Sequence, residues 1–125
     1  MVTPPASVQR SFRLSRRTAE LLDAASTGVE SRNAVADRLL GEALRTERHP
    51  LIRFHAGAAG RRQPQVVGTR LYVHQVISSL RAAAGDVDET AESLGVRPNQ
   101  VDAALAYYAD FKAEVDADAE AAVRA

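Results

Sequence analysis

The chain begins with a segment in which apolar and polar side chains alternate. Val8, Phe12 and Leu14 fall on one face of an extended backbone, and Arg10 interrupts that face. Alternation with a period of two predicts a half-buried β-strand over residues 8–14. Polar side chains occupy the opposite face of this strand: Gln9, Ser11 and Arg13.

Helical periodicity follows the predicted strand. Ser15 is a suitable N-cap for a helix over residues 16–26, and Gly28 is expected to end that helix in a left-handed conformation. A second helix is predicted over residues 31–48. Apolar residues at helical spacing give these two helices a wide stripe: Leu21, Leu22, Ala25, Val35, Ala36, Leu39, Leu40, Ala43 and Leu44.

In the rest of the chain, the residue pattern predicts short strands followed by helices. Strands are expected at residues 51–54 and 65–72, joined by a flexible basic turn. Helices are expected over residues 73–84, 87–94 and 98–111. Three residues in the last part have the spacing of a helix-turn-helix, with a small residue, a turn glycine and a branched core residue: Ala91, Gly95 and Val101.

The second helix of such a unit enters the major groove when the unit reads DNA. Acidic residues in the preceding helix, together with Asp102, would repel phosphate and favour a protein-contact role. Both interpretations stay open at this point. The side chains expected to face outward are Arg97, Asn99, Gln100 and Asp102.

One strand and two helices cannot bury the apolar surface of the N-terminal segment, and a lone strand leaves its backbone groups unpaired. Antiparallel pairing of two copies solves both problems, so a homodimer is predicted. Its core is expected to contain Val8, Phe12, Leu14, Leu21, Leu39 and Leu40.

The polar face of the paired strands would form a two-stranded ribbon that fits the DNA major groove. Arg13 has the chemistry to read guanine and Gln9 to read adenine, whereas Ser11 suits either. A phosphate contact is predicted where the second helix begins, at Ser31, Arg32 and Asn33.

Two resemblances follow from these motifs. Residues 8–15, the Leu-rich helix ending near Gly28 and the run Ser31-Arg32-Asn33-Ala34 resemble ribbon-helix-helix repressors and antitoxins over about residues 7–47. Residues 49–114 resemble a small bacterial domain called domain of unknown function 433. The matching runs are His49-Pro50-Leu51-Ile52, Gly60-Arg61-Arg62, Val67-Gly68-Thr69-Arg70, Val73 and Ala103-Ala104-Leu105-Ala106-Tyr107-Tyr108.

These resemblances imply a mostly α-helical protein with short β-strands and three parts. Residues 1–48 would form a ribbon-helix-helix dimer, residues 49–112 a small domain with short strands and a helix-turn-helix-like three-helix bundle, and residues 113–125 an acidic tail. Residues 1–6 are Pro-rich and are predicted to be disordered. The tail, in which Ala alternates with acidic residues, is predicted to be a marginal helix or disordered until it binds a partner.

Charge is distributed unevenly along a chain that is neutral as a whole. Residues 1–62 contain 11 Arg and 6 acidic residues, a balance of +5, whereas residues 63–125 contain 5 basic and 10 acidic residues, a balance of −5. We expect the basic N-terminal half to face a polyanion and the acidic C-terminal half to have a different function. The absence of Cys and of long apolar runs predicts a cytoplasmic protein without a membrane span.

The resemblance implies a type II antitoxin, of the VapB type, that binds a toxin with a PIN-like nuclease fold and represses its own operon. The alternatives are a dimeric transcription regulator without a toxin and a dimerisation module of a larger assembly. Aromatic and acidic residues near the C-terminus are candidates for toxin contact, although helical spacing also suits the aromatic ones to a core: Tyr107, Tyr108, Phe111, Glu114 and Asp116.

Enzymatic motifs are not found in the sequence. His49 and His55 flank a predicted strand, and His55 and His74 suit surface positions, so the three histidines do not form a short-spaced metal-ligand cluster. Gly57 and Gly60 are not followed by the Lys-Ser or Lys-Thr of a phosphate loop. We therefore expect a binding protein without a metal ion, a cofactor or catalytic residues.

Overall fold

A computed structural model of the chain describes residues 6–57 and 60–124. The prediction of disorder for residues 1–6 falls almost wholly outside these ranges. The described residues are mostly helical with one small antiparallel sheet, which confirms the coarse prediction of a mostly α-helical protein with short β-strands. The elements are α1 (Arg16–Ala25), α2 (Arg32–Arg48), β1 (Ile52–Ala56), β2 (Arg62–Val66), α3 (Val73–Ala82), α4 (Val87–Leu94), α5 (Pro98–Asp110) and α6 (Lys112–Arg124).

The chain divides into two compact units, residues 1–39 and residues 40–125. The division falls within α2, whereas the sequence suggested a boundary after residue 48. The first unit contains α1 and the start of α2, and the second unit contains both strands and the remaining helices.

Helix α1 begins as the sequence predicts and ends differently. The Ser15 side chain accepts a hydrogen bond of 3.1 Å from the backbone N–H of Thr18, which makes it the N-cap. The expected left-handed stop at Gly28 is wrong, because α1 ends at Ala25 and Ser26 follows with a φ of −96°. The hydroxyl of Ser26 donates to the carbonyl of Leu22 at 2.7 Å, so a serine completes the last turn.

Residues 7–14 have no regular secondary structure in the single chain, and no strand of the described ranges pairs with them. Ladder hydrogen bonds need a second strand, so the predicted strand requires a partner chain in order to form. Within the described part of the first unit, Val35 is the one buried side chain, and α1 contributes none.

The two strands form an antiparallel hairpin in which Ile52 pairs with Val66 and Phe54 with Pro64. The sequence placed the second strand at residues 65–72 and assigned Arg62 and Pro64 to the turn, which is wrong. Both strands of a two-stranded sheet are edge strands, so a proline is tolerated within one of them.

Local signals set the bounds of the next three helices. The Asp86 side chain accepts from the backbone N–H of Glu89 at 3.0 Å, and α4 ends at Gly95, whose φ of 70° is left-handed. Pro98 occupies the first turn of α5. Helix α4 has the predicted bounds, and α3 and α5 end two residues and one residue earlier than predicted.

The core of the second unit lies between the hairpin and helices α3, α4 and α5, and α6 packs against α3 and α5. The predicted marginal or disordered tail is therefore a packed helix, which buries Val115 and Asp118. The buried apolar side chains are contributed by both strands and most helices of this unit: Ile52, Val66, Val73, Val76, Ile77, Leu80, Ala91, Val101, Ala104, Tyr107 and Val115.

Candidate functional site

The predicted DNA-reading residues lie on the surface of the first unit. Gln9, Ser11 and Arg13 are all exposed, and the apolar residues between them are exposed as well. Phe12 keeps 70 % of its surface accessible and Val8 keeps 65 %. The apolar and the polar side chains of this irregular segment are therefore all accessible in the single chain.

The remaining residues of the predicted dimer core are also exposed in the single chain. Leu14, Leu21, Leu39 and Leu40 each keep more than a third of their surface accessible. Five of the six residues, all but Leu40, lie in the first unit, which is a large number of exposed apolar side chains for so short a segment. The residues that the sequence assigned to a dimer core are therefore accessible in the single chain.

The predicted phosphate contact has internal partners. The Ser31 hydroxyl accepts from the backbone N–H of Ala34 at 3.1 Å and so serves as a cap of α2. Arg32 forms an exposed ion pair of 3.0 Å with Asp23. Exposed pairs of this kind contribute little free energy, so a phosphate can displace Asp23 from Arg32. Asn33 is exposed beside them.

The outward face predicted for α5 is only partly outward. Gln100 is half-buried, its side-chain carbonyl accepts from the Arg97 backbone N–H at 2.8 Å, and its amide donates to the Val67 carbonyl at 3.1 Å. Both ends of this amide are occupied, so the expectation that Gln100 faces outward is wrong. Arg97, Asn99 and Asp102 remain exposed.

The residues predicted for toxin contact hold the second unit together. Tyr107 is fully buried and offers no surface to a partner, and Phe111 is half-buried. Tyr108 accepts a hydrogen bond of 2.6 Å from Arg81 and donates one of 2.9 Å to Asp116. The fifth member of this set, Glu114, pairs with Arg45 at 2.7 Å.

A cleft of about 580 Å³ opens in the second unit beside Tyr107, and we call it the Tyr107 cleft. Its apolar wall contains Phe54, Pro64, Ala113 and Ala117. Charged side chains line the rest of the cleft and come from α2, from the hairpin and from α6: Arg45, Arg61, Arg62, Glu114 and Asp118.

The charged residues of the Tyr107 cleft form ion pairs across long sequence separations. Arg61 donates from Nε to Asp118 Oδ1 at 3.0 Å, its Nη2 lies 2.9 Å from the same oxygen in an ion pair, and Asp118 is only 5 % exposed. Burial raises the pKa of the Asp118 carboxyl, and the hydrogen bond from Arg61 opposes this effect. Burial therefore disfavours the ionised form of Asp118, and Arg61 offsets part of this effect.

The Tyr107 hydroxyl is buried, and no atom of the described residues accepts a hydrogen bond from it, because the nearby Arg45 guanidinium can only donate. Burial raises the pKa of this hydroxyl, the negative charge of Glu114 adds to the rise, and Arg45 opposes it. The group therefore keeps its proton and remains a hydrogen-bond donor without an acceptor. A buried donor of this kind is costly and requires an explanation.

The sequence contained a weak signal for this cleft. Tyr107 was singled out for its aromatic mass, but Asp118 stood in an Ala-rich acidic run where nothing distinguished it from solvated neighbours. Its partner Arg61 is 57 residues away in the chain. Only the packing of α6 against α3 and α5 brings Asp118 next to Arg61 of the hairpin.

Comparison with known proteins found no matching family model, no matching curated protein and no matching solved structure. Residues 6–57 and 60–124 contain no group of three or more His, Cys, Asp or Glu side chains placed to hold a metal ion. None of the helices in those ranges combines the length and the apolar character that crossing a bilayer requires.

The buried carboxylate predicts a pH-dependent difference in stability. The pKa of Asp118 is higher in the folded than in the unfolded chain. The contribution of Asp118 to the free energy of unfolding is therefore greatest at low pH and is lost as the pH rises through the folded pKa. We expect Asp118→Asn to gain stability relative to the wild type as the pH rises from about 4 to about 7. Urea denaturation at several pH values measures this difference.

One neighbouring group, His74, also affects this experiment. His74 lies near Asp118, and burial lowers the pKa of His74. The lowered pKa increases the free energy of unfolding at neutral pH, and this increase is lost as the pH falls below the ordinary pKa of histidine. Asp118→Asn also removes the charge that raises the pKa of His74, so the comparison is repeated in a His74→Gln background, where that contribution is absent. Asp88→Asn, in the exposed first turn of α4, is the matched control. A gain for Asp118→Asn that shrinks with rising pH would show that attraction by Arg61 outweighs burial.

Proposed function

We propose that this chain is a homodimeric DNA-binding antitoxin, which represses its own operon and binds a cognate nuclease toxin. The observation that carries the DNA-binding part is the first unit, where exposed apolar and exposed polar residues alternate from Val8 to Leu14. Two copies paired through these segments would cover the apolar face and present Arg13 twice in one ribbon.

Hydrophobic burial supports the dimer. The first unit is short, and its described residues include one buried side chain, Val35, together with an α1 that buries none. A chain segment of this size rarely folds stably alone and usually needs a partner to complete a core. A second copy supplies the same apolar residues in a self-complementary interface.

The second unit is proposed to contact the toxin rather than DNA. The exposed carboxylates of α4, Asp88 and Glu89, repel phosphate, and Gln100 has no free amide group for reading a base. The antitoxin assignment itself rests on the resemblance of residues 49–114. A regulator without a toxin is the second candidate and requires the same dimer and ribbon.

A mobility-shift assay with duplex DNA from upstream of the gene tests the DNA-binding part. We expect Arg13→Ala to weaken specific binding by at least about 30-fold, because the dimer loses two contacts worth about 1–3 kcal/mol each. Arg17→Ala, on the exposed face of α1, removes the same charge and is expected to have a much smaller effect. Equal losses for the two variants, or survival of binding in Arg13→Ala, would contradict the ribbon as the reader.

The same assay with added toxin tests the antitoxin part. The toxin is taken as the product of a nuclease-like reading frame adjacent to this gene. Toxin binding is expected to change operator affinity, since one chain would hold both sites. Unchanged affinity in a complex that demonstrably forms would rule out the coupling, and a failure to form any complex would favour the regulator without a toxin.

A further inference from the structure

The Tyr107 cleft has the features of a small-molecule site that is separate from DNA binding. Its volume of about 580 Å³ lies within the range typical of ligand pockets, roughly 300–1,000 Å³. Its walls combine an apolar surface with a few charged groups, as ligand sites do. We propose that this cleft binds a small organic anion, a carboxylate or a phosphate monoester attached to an apolar ring.

The first argument is the hydroxyl of Tyr107. It has no hydrogen-bond partner among the described residues, and it lies near enough to Arg45, Glu114 and Asp118 for their charges to affect its ionisation. Tyr107 lines the cleft together with those three residues. Its hydroxyl has no exposed surface in the unliganded chain, so a ligand oxygen must displace neighbouring side chains before this phenol can donate to it.

The second argument is the donor capacity of the arginines. Arg61 directs Nε and Nη2 at a single oxygen of Asp118, and Arg62 directs Nε and Nη2 at Glu42 and at the carbonyl of Phe54. Within the described residues, the Nη1 groups of Arg61 and Arg62 form no hydrogen bond. Guanidinium groups bind carboxylate and phosphate through paired N–H groups, so these two suit an anion.

The third argument concerns charge balance. An anion beside Arg61 would take over the role of Asp118, whose buried ionised form is already unfavourable, so ligand binding is accompanied by uptake of a proton at Asp118. The apolar wall of Phe54, Pro64, Ala113 and Ala117 excludes strongly hydrated ions and favours an organic group. This inference does not depend on the proposed antitoxin role, since every residue in it belongs to the second unit.

The test uses NMR titration of the full chain with four probes: benzoate, phenyl phosphate, inorganic phosphate and the neutral benzamide. We expect benzoate or phenyl phosphate to shift resonances of cleft residues saturably, and benzamide and inorganic phosphate to bind much more weakly. The preference between benzoate and phenyl phosphate identifies which anionic group the site takes.

Two tyrosine variants locate the site. Tyr107→Phe removes only the hydroxyl and is expected to weaken binding at least about tenfold, as the loss of a hydrogen bond to a charged group does. Tyr108→Phe removes the adjacent hydroxyl, which bonds to Arg81 and Asp116 outside the cleft, and is expected to leave affinity unchanged. The dispersion of the amide resonances in the NMR spectra is used to check that both variants fold.

Three results would overturn the proposal. Equal binding of benzamide and benzoate would exclude anion recognition, and unchanged affinity in Tyr107→Phe would exclude the hydroxyl as a ligand group. Failure of all four probes to shift cleft resonances would mean that the hydroxyl is satisfied by a water molecule only.

Discussion

Tyr107→Ala is expected to lower the free energy of unfolding of the second unit by about 3–5 kcal/mol, the range for deleting a buried aromatic side chain. Tyr107 is fully buried, and its ring contacts those of His49 and Phe111 at centroid distances of 5.2 and 4.8 Å. These contacts join the end of α2 to α5, so the cavity left by alanine would loosen several elements at once. Urea denaturation followed by circular dichroism measures the loss.

The ring and the hydroxyl of Tyr107 are expected to act in opposite directions. Tyr107→Phe keeps the packing and removes a buried donor without a partner, so stability should be unchanged or should rise by up to about 1–3 kcal/mol. Tyr108→Phe is the matched control, because it deletes a hydroxyl with two partners and should lower stability by about 0.5–1.5 kcal/mol. Equal destabilisation by the two variants would mean that the Tyr107 hydroxyl is well satisfied in solution.

Phe12→Asp is expected to abolish dimer formation by raising the dissociation constant more than about 1,000-fold. Phe12 lies in the middle of the apolar face proposed to pair with a second copy, and 70 % of its surface is accessible in the single chain. A dimer would bury two unpaired carboxylates there, each at a cost of several kcal/mol. Sedimentation velocity of the full chain measures the dissociation constant.

Ser11→Asp is the matched control for the dimer experiment. Ser11 is the adjacent residue on the polar face, so the same charge placed there stays in solvent and leaves the dimer intact. It should nevertheless repel phosphate and weaken DNA binding. A wild-type chain that sediments as a monomer, or a Phe12→Asp variant that still dimerises, would remove the basis for the proposed ribbon.

The helices of the second unit could be predicted because their signals are local. Asp86, Gly95 and Pro98 each act within one turn of a helix, and their chemistry is visible in the sequence without any knowledge of the fold. The start of α1 at Ser15 is predictable for the same reason. The end of α1 was not, since Ser26 rather than Gly28 follows the last turn and serine is compatible with many conformations.

The start of β2 and the packing of α6 depend on distant partners. Arg62 and Pro64 look like turn residues, but pairing with Ala56 and Phe54 places both in a strand. In α6 only Val115 and Asp118 are buried, and they stand in an Ala-rich acidic run, so the pattern resembles a solvated acidic helix. Neither element has a short-range signal strong enough to reveal its contacts.

The exposed alternation from Val8 to Leu14, by contrast, is visible in the sequence alone. The sequence by itself determined the mostly helical class, the bounds of α4, and a first unit whose apolar residues exceed what one copy buries, because periodicity and caps are local properties. Only the tertiary structure decided that Tyr107 is buried without a partner for its hydroxyl and that Arg61 meets Asp118. Those contacts join residues far apart in the chain, and only the packing of α5, α6 and the hairpin determines them.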